Sequence, residues 1–417
     1  MSIRRNAVWA VLILMLTGCS GDGGGEEAAE AISIEYFLQD KSTGIPVAVK
    51  VSGGVLVHTT QLFPVLDPKS SGSSTLQGQV DSLLNELEGI LKEHGGGSVD
   101  QVVKLNVYVS AAGDCEKVEK LLVTWFAKHP MPALTLIVTP LARPGALVAL
   151  DAVAVIVDSD TPKGVEMWSD LHAIKGRTFG GEALAAVSGH KTDLVYISGR
   201  ASKADDLGEA TQATMEQLIS VLQMLGGNAE SVVQVKVFLK PMHKAVFAAE
   251  AIQNFFEKMD RPPVVMVEWE SSSYPTEIEV VAAIPNRRGE GNKVMYMTPP
   301  GDKPSPVYSK VVVVREHDLI YVGGGVGDPG EDAEDEVKTL YDRMGKAVEA
   351  AGGDFNHLVK ATYYVSNPEV SKALNELRPK VYDAKRPPAA SKVTLKEIGV
   401  ADRGILIDMI AVPAIDE

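Results

Sequence analysis

Three carboxylates recur along the chain in one local setting. Asp151 lies in "ALVALDAVAV", Glu279 in "TEIEVVAAIP" and Asp408 in "GILIDMIAVP", at spacings of 128 and 129. Each interrupts an apolar segment of strand character. An acid so placed either serves proton chemistry or is a hydrogen-bonded structural group, and spacing alone leaves both open. Other constellations carry less. The eight histidines show no ligand spacing, so no metal site and no cofactor is expected. "GGGVGDPGED" at 323–332 lacks the Gly-Lys-Ser/Thr of a phosphate-binding loop and ends acidic, so it reads as a turn. Cys115 has no histidine near it in sequence and reads as an incidental thiol.

The elements that must position the acids are spelled three times. "GSVDQVVKLNVYVS" (97–110), "GNAESVVQVKVFLK" (227–240) and "GDFNHLVKATYYVS" (353–366) each give a glycine, a polar stretch, an apolar pair and an alternating strand. Lys104, Gln234 and Lys360 take equivalent places. A helix-period segment ending in glycines precedes each, and a second helical stretch follows. A proline-marked boundary then leads into a further strand, as in "PMPALTLIV", "RPPVVMVEW" and "RPPAASKVTL". Before the first helix stand "GVLVHTTQ", "LVYISGR" and "LIYVGGG". The order strand, strand, helix, strand, helix, strand, strand predicts an α+β unit, a mixed sheet with helices on one face. The units span 45–157, 172–285 and 297–414, with "DSDTPKGVEMWSD" and "NRRGEGNK" as linkers. A repeat of this length makes tandem domains, not a solenoid.

The first residues belong to another purpose. "MSIRRNAVWAVLILMLTGC" has two arginines, an apolar run and small residues before Cys19, the pattern of a signal peptide over 1–18. Leu16-Thr17-Gly18-Cys19 resembles the bacterial lipobox, which implies lipidation of Cys19 and anchoring in the cell envelope. Residues 19–44 are expected to hold the lipidated cysteine and a flexible tether. Ser20 leans towards the periplasmic side of the outer membrane. The formal net charge of −15 and the lack of basic runs argue against a nucleic-acid partner.

The repeated motifs resemble the Rid/YjgF family of imine and enamine deaminases. "SVDQVVKLNVYVS" and "DFNHLVKATYYVS" are similar to its signature strand, Ser198-Gly199 to its S-G-Q turn, "TEIEVVAA" to its closing strand, and "PSPVYSKVV" to its opening G-P-Y motif. The resemblance covers nearly the whole chain beyond the leader. It implies chorismate-mutase-like domains whose sheets face inward, with ligand clefts between units. Three joined copies then imply a monomeric chain that closes into a pseudo-trimer.

Carried over by position, the family's chemistry is only partly present. The arginine that clamps a substrate carboxylate falls on Leu134, Val264 and Ala390, and none can hold an anion. Arg261 and Arg386 lie nearby as strand starts. The resemblance makes Asp151, Glu279 and Asp408 the acids that position attacking water. It places ligand contacts at Thr60, Gln61, Ser198, Gly199, Arg200, Gly323 and Gly324, with Arg200 either a replacement charge or one half of a surface ion pair. The cleft aromatic falls on Tyr308, with Pro46 and Leu184 in the other units, and the second-helix asparagine on Asn375, with Glu119 and Ala249. The third unit is thus expected to keep the most cleft polarity: Tyr308, Asn375 and Asp408. The function implied is small-molecule binding in interdomain clefts without 2-imino-acid deamination. The alternatives are hydrolysis of an uncharged imine, enamine or amide, and a structural envelope scaffold.

Overall fold

The first repeat runs through β2 (Ser33–Phe37), β3 (Ala48–Ser52), β4 (Val55–Thr59), α1 (Leu76–Gly95), β5 (Val102–Val109), α2 (Cys115–Trp125), β6 (Ala133–Val138) and β7 (Val148–Ile156). The second has β8 (Val165–Trp168), β9 (Ala185–Ser188), β10 (Thr192–Arg200), α3 (Leu207–Met224), β11 (Val232–Leu239), α4 (Ala245–Phe255), β12 (Val264–Glu268) and β13 (Thr276–Pro285). The third has β14 (Val294–Met297), β15 (Val311–Val314), β16 (Leu319–Gly325), α5 (Ala333–Ala350), β17 (Gly353–Val365), α6 (Pro368–Val381), β18 (Ala389–Thr394) and β19 (Ile405–Pro413). A short β1 (Val11–Ile13) lies against β2. This computed structural model describes residues 11–13 and 31–414, except 68, 70–71, 158–163, 170–177, 190, 271–272, 287–291, 316–317 and 329–331. Cys19 and most of the expected leader and tether lie outside the described residues.

Local signals explain the elements. Helix α1 buries Val80, Leu83, Leu84, Leu87, Ile90 and Leu91, the three- and four-residue spacing of one face. Thr75 accepts the Gly78 amide at 3.1 Å, and Gly96 ends the helix at φ 58°, a left-handed conformation that glycine adopts without strain. The turn into β5 is boxed by Ser98 and Gln101, and the turn into β11 by Asn228 and Ser231. Two stretches expected to be irregular carry strands: Val165–Trp168 in the first linker is β8, and Ser33–Phe37 in the tether is β2. Among the described residues, no helix is long and apolar enough to cross a membrane.

The sheets are mixed, with orders β6-β5-β7-β4-β9-β8, β12-β11-β13-β10-β15-β14 and β18-β17-β19-β16-β3-β2-β1. No sheet therefore belongs to one repeat. Each takes four adjacent strands from one repeat and its remaining strands from the next, cyclically. β3 does not fold back on β4; it pairs antiparallel with β16, Val51 opposite Leu319 and Ala48 opposite Val322. β4 pairs with β9, and β10 with β15. Gly53 and Gly54, at φ 71° and 70°, carry the chain from the third sheet to the first. A Cβ on Gly54 would stand 2.7 Å from the Ile156 carbonyl oxygen, so only glycine fits this crossing.

Helices cover one face of each sheet and build three separate outer cores. The other faces meet in the middle. One shared apolar layer there joins Val103, Val233 and Val359 with Val155, Ala283 and Val412; a second joins Tyr108, Phe238 and Tyr364 with Ala149 and Leu406. Residues from all three repeats in each layer make the chain an intrachain pseudo-trimer with its sheets facing inward.

Candidate functional site

Strand periodicity puts a polar belt between those two layers. On β5, Lys104 and Asn106 lie between Val103 and Tyr108; on β11, Gln234 and Lys236 between Val233 and Phe238; on β17, Lys360 and Thr362 between Val359 and Tyr364. The closing strands add Asp151, Glu279 and Asp408 at the same level, each in register with those residues: Asn106 opposite Asp151, Lys236 opposite Glu279, Thr362 opposite Asp408.

The acids are engaged across repeats. Lys104 donates to Asp408 Oδ2 at 2.5 Å and to Thr135 Oγ1 at 2.5 Å, and Thr135 donates to the same carboxylate at 2.7 Å. Lys360 donates to Glu279 Oε2 at 2.5 Å, and Ser391 to the same oxygen at 2.5 Å. By this rule the partner of Asp151 would stand at position 234, but Gln234 donates to the Thr59 carbonyl at 2.8 Å instead. Asp151 accepts from Tyr108 at 2.5 Å and Asn106 at 3.0 Å. The cation that acts on it most strongly is Lys236, two residues further along the same strand face, with Lys104 also contributing; Lys236 donates to Tyr364 Oη at 3.1 Å. Burial pushes the Asp151 carboxyl up, opposed first by Lys236, and pulls Lys104 down against the pull of Asp408. Burial would also lower Lys236, but Tyr364, Asp151, Glu279 and Asp408 together hold it above its ordinary value.

Three lysines thus balance three acids, and Glu277 is a fourth acid beside them. Burial, then the charge of Glu279, push its carboxyl up to about 7, opposed by Lys360, Ser391 and Lys310. Its carboxylate lies flat on Gly199, where a Cβ would stand within 2.0 Å of Oε1. A carboxylic acid that titrates near neutral pH is the group here best suited to proton transfer.

Outside the belt the seams are closed by backbone contacts. Between the first and second repeats, Thr60 Oγ1 donates to the Val264 carbonyl at 2.9 Å, and the Met266 amide donates to Gln61 Oε1 at 3.0 Å. Beside this seam, within the second repeat, a cavity of about 10 Å³ is lined by Phe179, Glu182, Gln253, Arg261 and Val264, room for about one water. Between the second and third, Ser198 Oγ donates to the Ser309 carbonyl at 2.6 Å and accepts the Ala390 amide at 2.7 Å. Tyr308 and Lys310 stand beside it, Lys310 donating to Tyr308 Oη at 2.6 Å. Between the third and first, Gly323 and Gly324 press on Leu134 and Thr135; a Cβ on Gly323 would stand 2.8 Å from the Leu134 carbonyl oxygen.

The expected ligand contacts therefore divide among three seams. Thr60 and Gln61 serve the first, Ser198 and Gly199 the second, Gly323 and Gly324 the third. Arg200 is held by Asp302 of the third repeat as an interlobe ion pair. Tyr308 and Asp408, expected in one cleft, lie at different seams, because each seam takes its acid and its opening residue from different repeats. Asn375 sits on exposed α6 surface and accepts from Arg378 at 2.6 Å. The residues equivalent to Tyr308 also differ from expectation. Val47, Leu184 and Lys310 each bond the strand before them, to Phe37, Trp168 and Met297, so the equivalents of Tyr308 are Ile45 and Glu182, not Pro46 and Leu184. Sequence reasoning passed over Lys236, Glu277 and Glu182. Glu277 was legible as the first acid of "TEIEVV"; Glu182 was not, because loop length hid its register. No group of three or more His, Cys, Asp or Glu that could hold a metal ion occurs among the described residues.

Comparison with known proteins follows the same threefold division. The family model described as endoribonuclease L-PSP matches residues 48–156, 184–284 and 301–413. Similar solved structures include a YjgF-family member from Neisseria meningitidis, 22% identical over 30% of this chain and 97% of that one, TM-score 0.23. A protein of the conserved Rid family from Yersinia pestis is 16% identical over 29% and 99%, TM-score 0.26. The YjgF gene product of E. coli is 22% identical over 25% and 84%, TM-score 0.22. No curated protein matches the sequence.

Proposed function

Because the chain belongs to the endoribonuclease L-PSP family, the Rid/YjgF proteins, in three tandem copies, we propose that it is a small-molecule-binding member without 2-imino-acid deaminase activity. One observation carries the reading: the acids are committed to the chain's own side chains, while the clamp positions hold Leu134, Val264 and Ala390. A carboxylate locked to a buried ammonium is a poor base for water, and an apolar clamp position gives a substrate carboxylate no charge-assisted bond, worth about 1.5–3 kcal/mol each. Ser198, Glu277, Tyr308 and Lys310 make the seam between the second and third repeats the favoured place for a ligand that opens it. The test is ammonia release from 2-iminopropionate by the purified chain. The expected rate equals that of a Glu279→Gln/Asp408→Asn control; hydrolysis clearly above it ends the proposal.

Glu277 favours a second reading, hydrolysis of an uncharged imine, enamine or amide at the same seam. A proton donor and acceptor near neutral pH beside a clamp position that carries no charge suits a substrate without a carboxylate. Under that reading Glu277→Gln abolishes a screened activity that Asp151→Asn leaves intact. The leader supports placing the protein in the cell envelope through a lipid on Cys19, on the periplasmic side of the outer membrane. Labelled palmitate entering the wild type and not Cys19→Ser is the expected result.

A further inference from the structure

The third repeat holds two cations that the other repeats do not have. Ser371, Asn375 and Arg378 lie at i, i+4 and i+7, one face of α6. That face meets Lys392 on the edge strand β18, directly opposite Tyr363 on β17. Arg378 Nη2 donates to Asn375 Oδ1 at 2.6 Å, and its guanidinium stands 5.1 Å from the centre of the Tyr363 ring. Lys392 Nζ reaches the same Asn375 oxygen at 3.4 Å and Ser371 Oγ at 3.0 Å. Behind them the hydroxyls of Tyr363, Tyr382 and Tyr341 form a chain, with separations of 2.6 and 3.0 Å.

Arg378 is only 8% exposed, its Nε has no hydrogen-bond partner, and no carboxylate among the described residues pairs with it or with Lys392. A guanidinium stays charged at any physiological pH, so burial without a counter-ion is costly. Burial, then the charge of Arg378, also pull Lys392 down. Two cations therefore crowd one neutral amide oxygen.

The fold does not require this arrangement. Counting from Lys104, Gln234 and Lys360, the positions of Tyr363, Arg378 and Lys392 are Val107, Leu122 and Leu136 in the first repeat, and Val237, Ile252 and Met266 in the second. Those residues pack in the ordinary apolar cores. The third repeat has replaced interior hydrocarbon with charge at the very places where its sisters keep it. The rim is open to solvent: Asn375 is exposed, and Ser371 and Lys392 are half-buried.

We propose that Arg378, Lys392, Ser371 and Asn375 form a binding site for a small oxyanion, a carboxylate or phosphate group. The guanidinium fork and the lysine would supply charge-assisted donors, and Ser371 and the Asn375 amide would complete the shell. The site is separate from the belt. Lys392 faces α6, whereas its neighbour Ser391 faces Glu279 on the other side of the strand. It stands whether or not the seams bind a ligand.

The test uses the full chain and thermal unfolding in inorganic phosphate or acetate, against chloride at equal ionic strength. The expected result is a saturable rise in Tm over the millimolar range with at least one oxyanion. A rise with acetate alone assigns a carboxylate ligand, and a rise with phosphate alone a phosphorylated one; either supports the site. Lys392→Gln, at a half-buried position, should weaken the apparent affinity at least tenfold. Arg378→Leu with Lys392→Leu, the residues of the first repeat, should fold and lose the response. No rise over chloride, or an equal rise in these variants, overturns the proposal.

Discussion

Glu277 is the residue whose environment departs furthest from its sequence neighbours' roles. It is buried beside Glu279, and burial first, then that neighbouring charge, push its carboxyl up to about 7. The folded state therefore holds its proton more tightly than the unfolded chain. Its contribution to stability is complete below the ordinary carboxylate range and is lost as pH rises through about 7. Glu277→Gln should narrow the fall in unfolding free energy between about pH 5 and about pH 8 by about 2 kcal/mol. Denaturant titrations at the two pH values measure it, and an unchanged gap would place the titrating group elsewhere. His58 works in the opposite sense. Burial pulls its imidazole down to about 4, so its contribution is present above its ordinary value and is lost as pH falls towards 4.

At the scale of the element, β11 shows how a strand conserves charge while changing sequence. Positions 234 and 236 lie on one face, and the ammonium found at 104 and 360 appears at 236 instead. Lys236→Met removes the stronger of the two cations acting on Asp151 in a dry layer and should cost about 3 kcal/mol. Adding Gln234→Lys to that variant should restore more than half of the loss, because the lysine returns to the place its counterparts occupy. Urea unfolding of the single and double variants decides; no recovery would mean that the Lys236–Tyr364 bond, rather than charge balance, sets the stability.

For the whole molecule, the cyclic exchange of outer strands is what closes the ring. β3 and β2 complete the third sheet, so the N-terminal strands hold the first repeat to the last. Removing residues 31–52 leaves β16 as an open edge with unpaired amides and carbonyls. The shortened chain should form concentration-dependent oligomers in light scattering, each supplying an edge to another, while the full chain scatters as one copy. A shortened chain that stays monomeric would show that the ring does not depend on this strand.

The sequence by itself determined the threefold repeat, the helices, the repeated strands and the level of the three acids. These rest on short-range patterns: α1 is marked by its stripe, Thr75 and Gly96, and β5 by its alternation. The outer strands β2 and β8 escaped because they are short and their neighbours are polar. Only the tertiary structure decided that β3 joins β16 rather than β4, since three similar sheets offer three similar edges and local pattern does not rank them. The same choice sends Lys104 to Asp408 and separates that acid from Tyr308. Packing of α6 against β18 within the third repeat brings Arg378 beside Lys392, two residues on different elements whose shared want of an acid is invisible until they meet. Long-range pairing is chosen by the energy of the closed ring, and no window of sequence contains that energy.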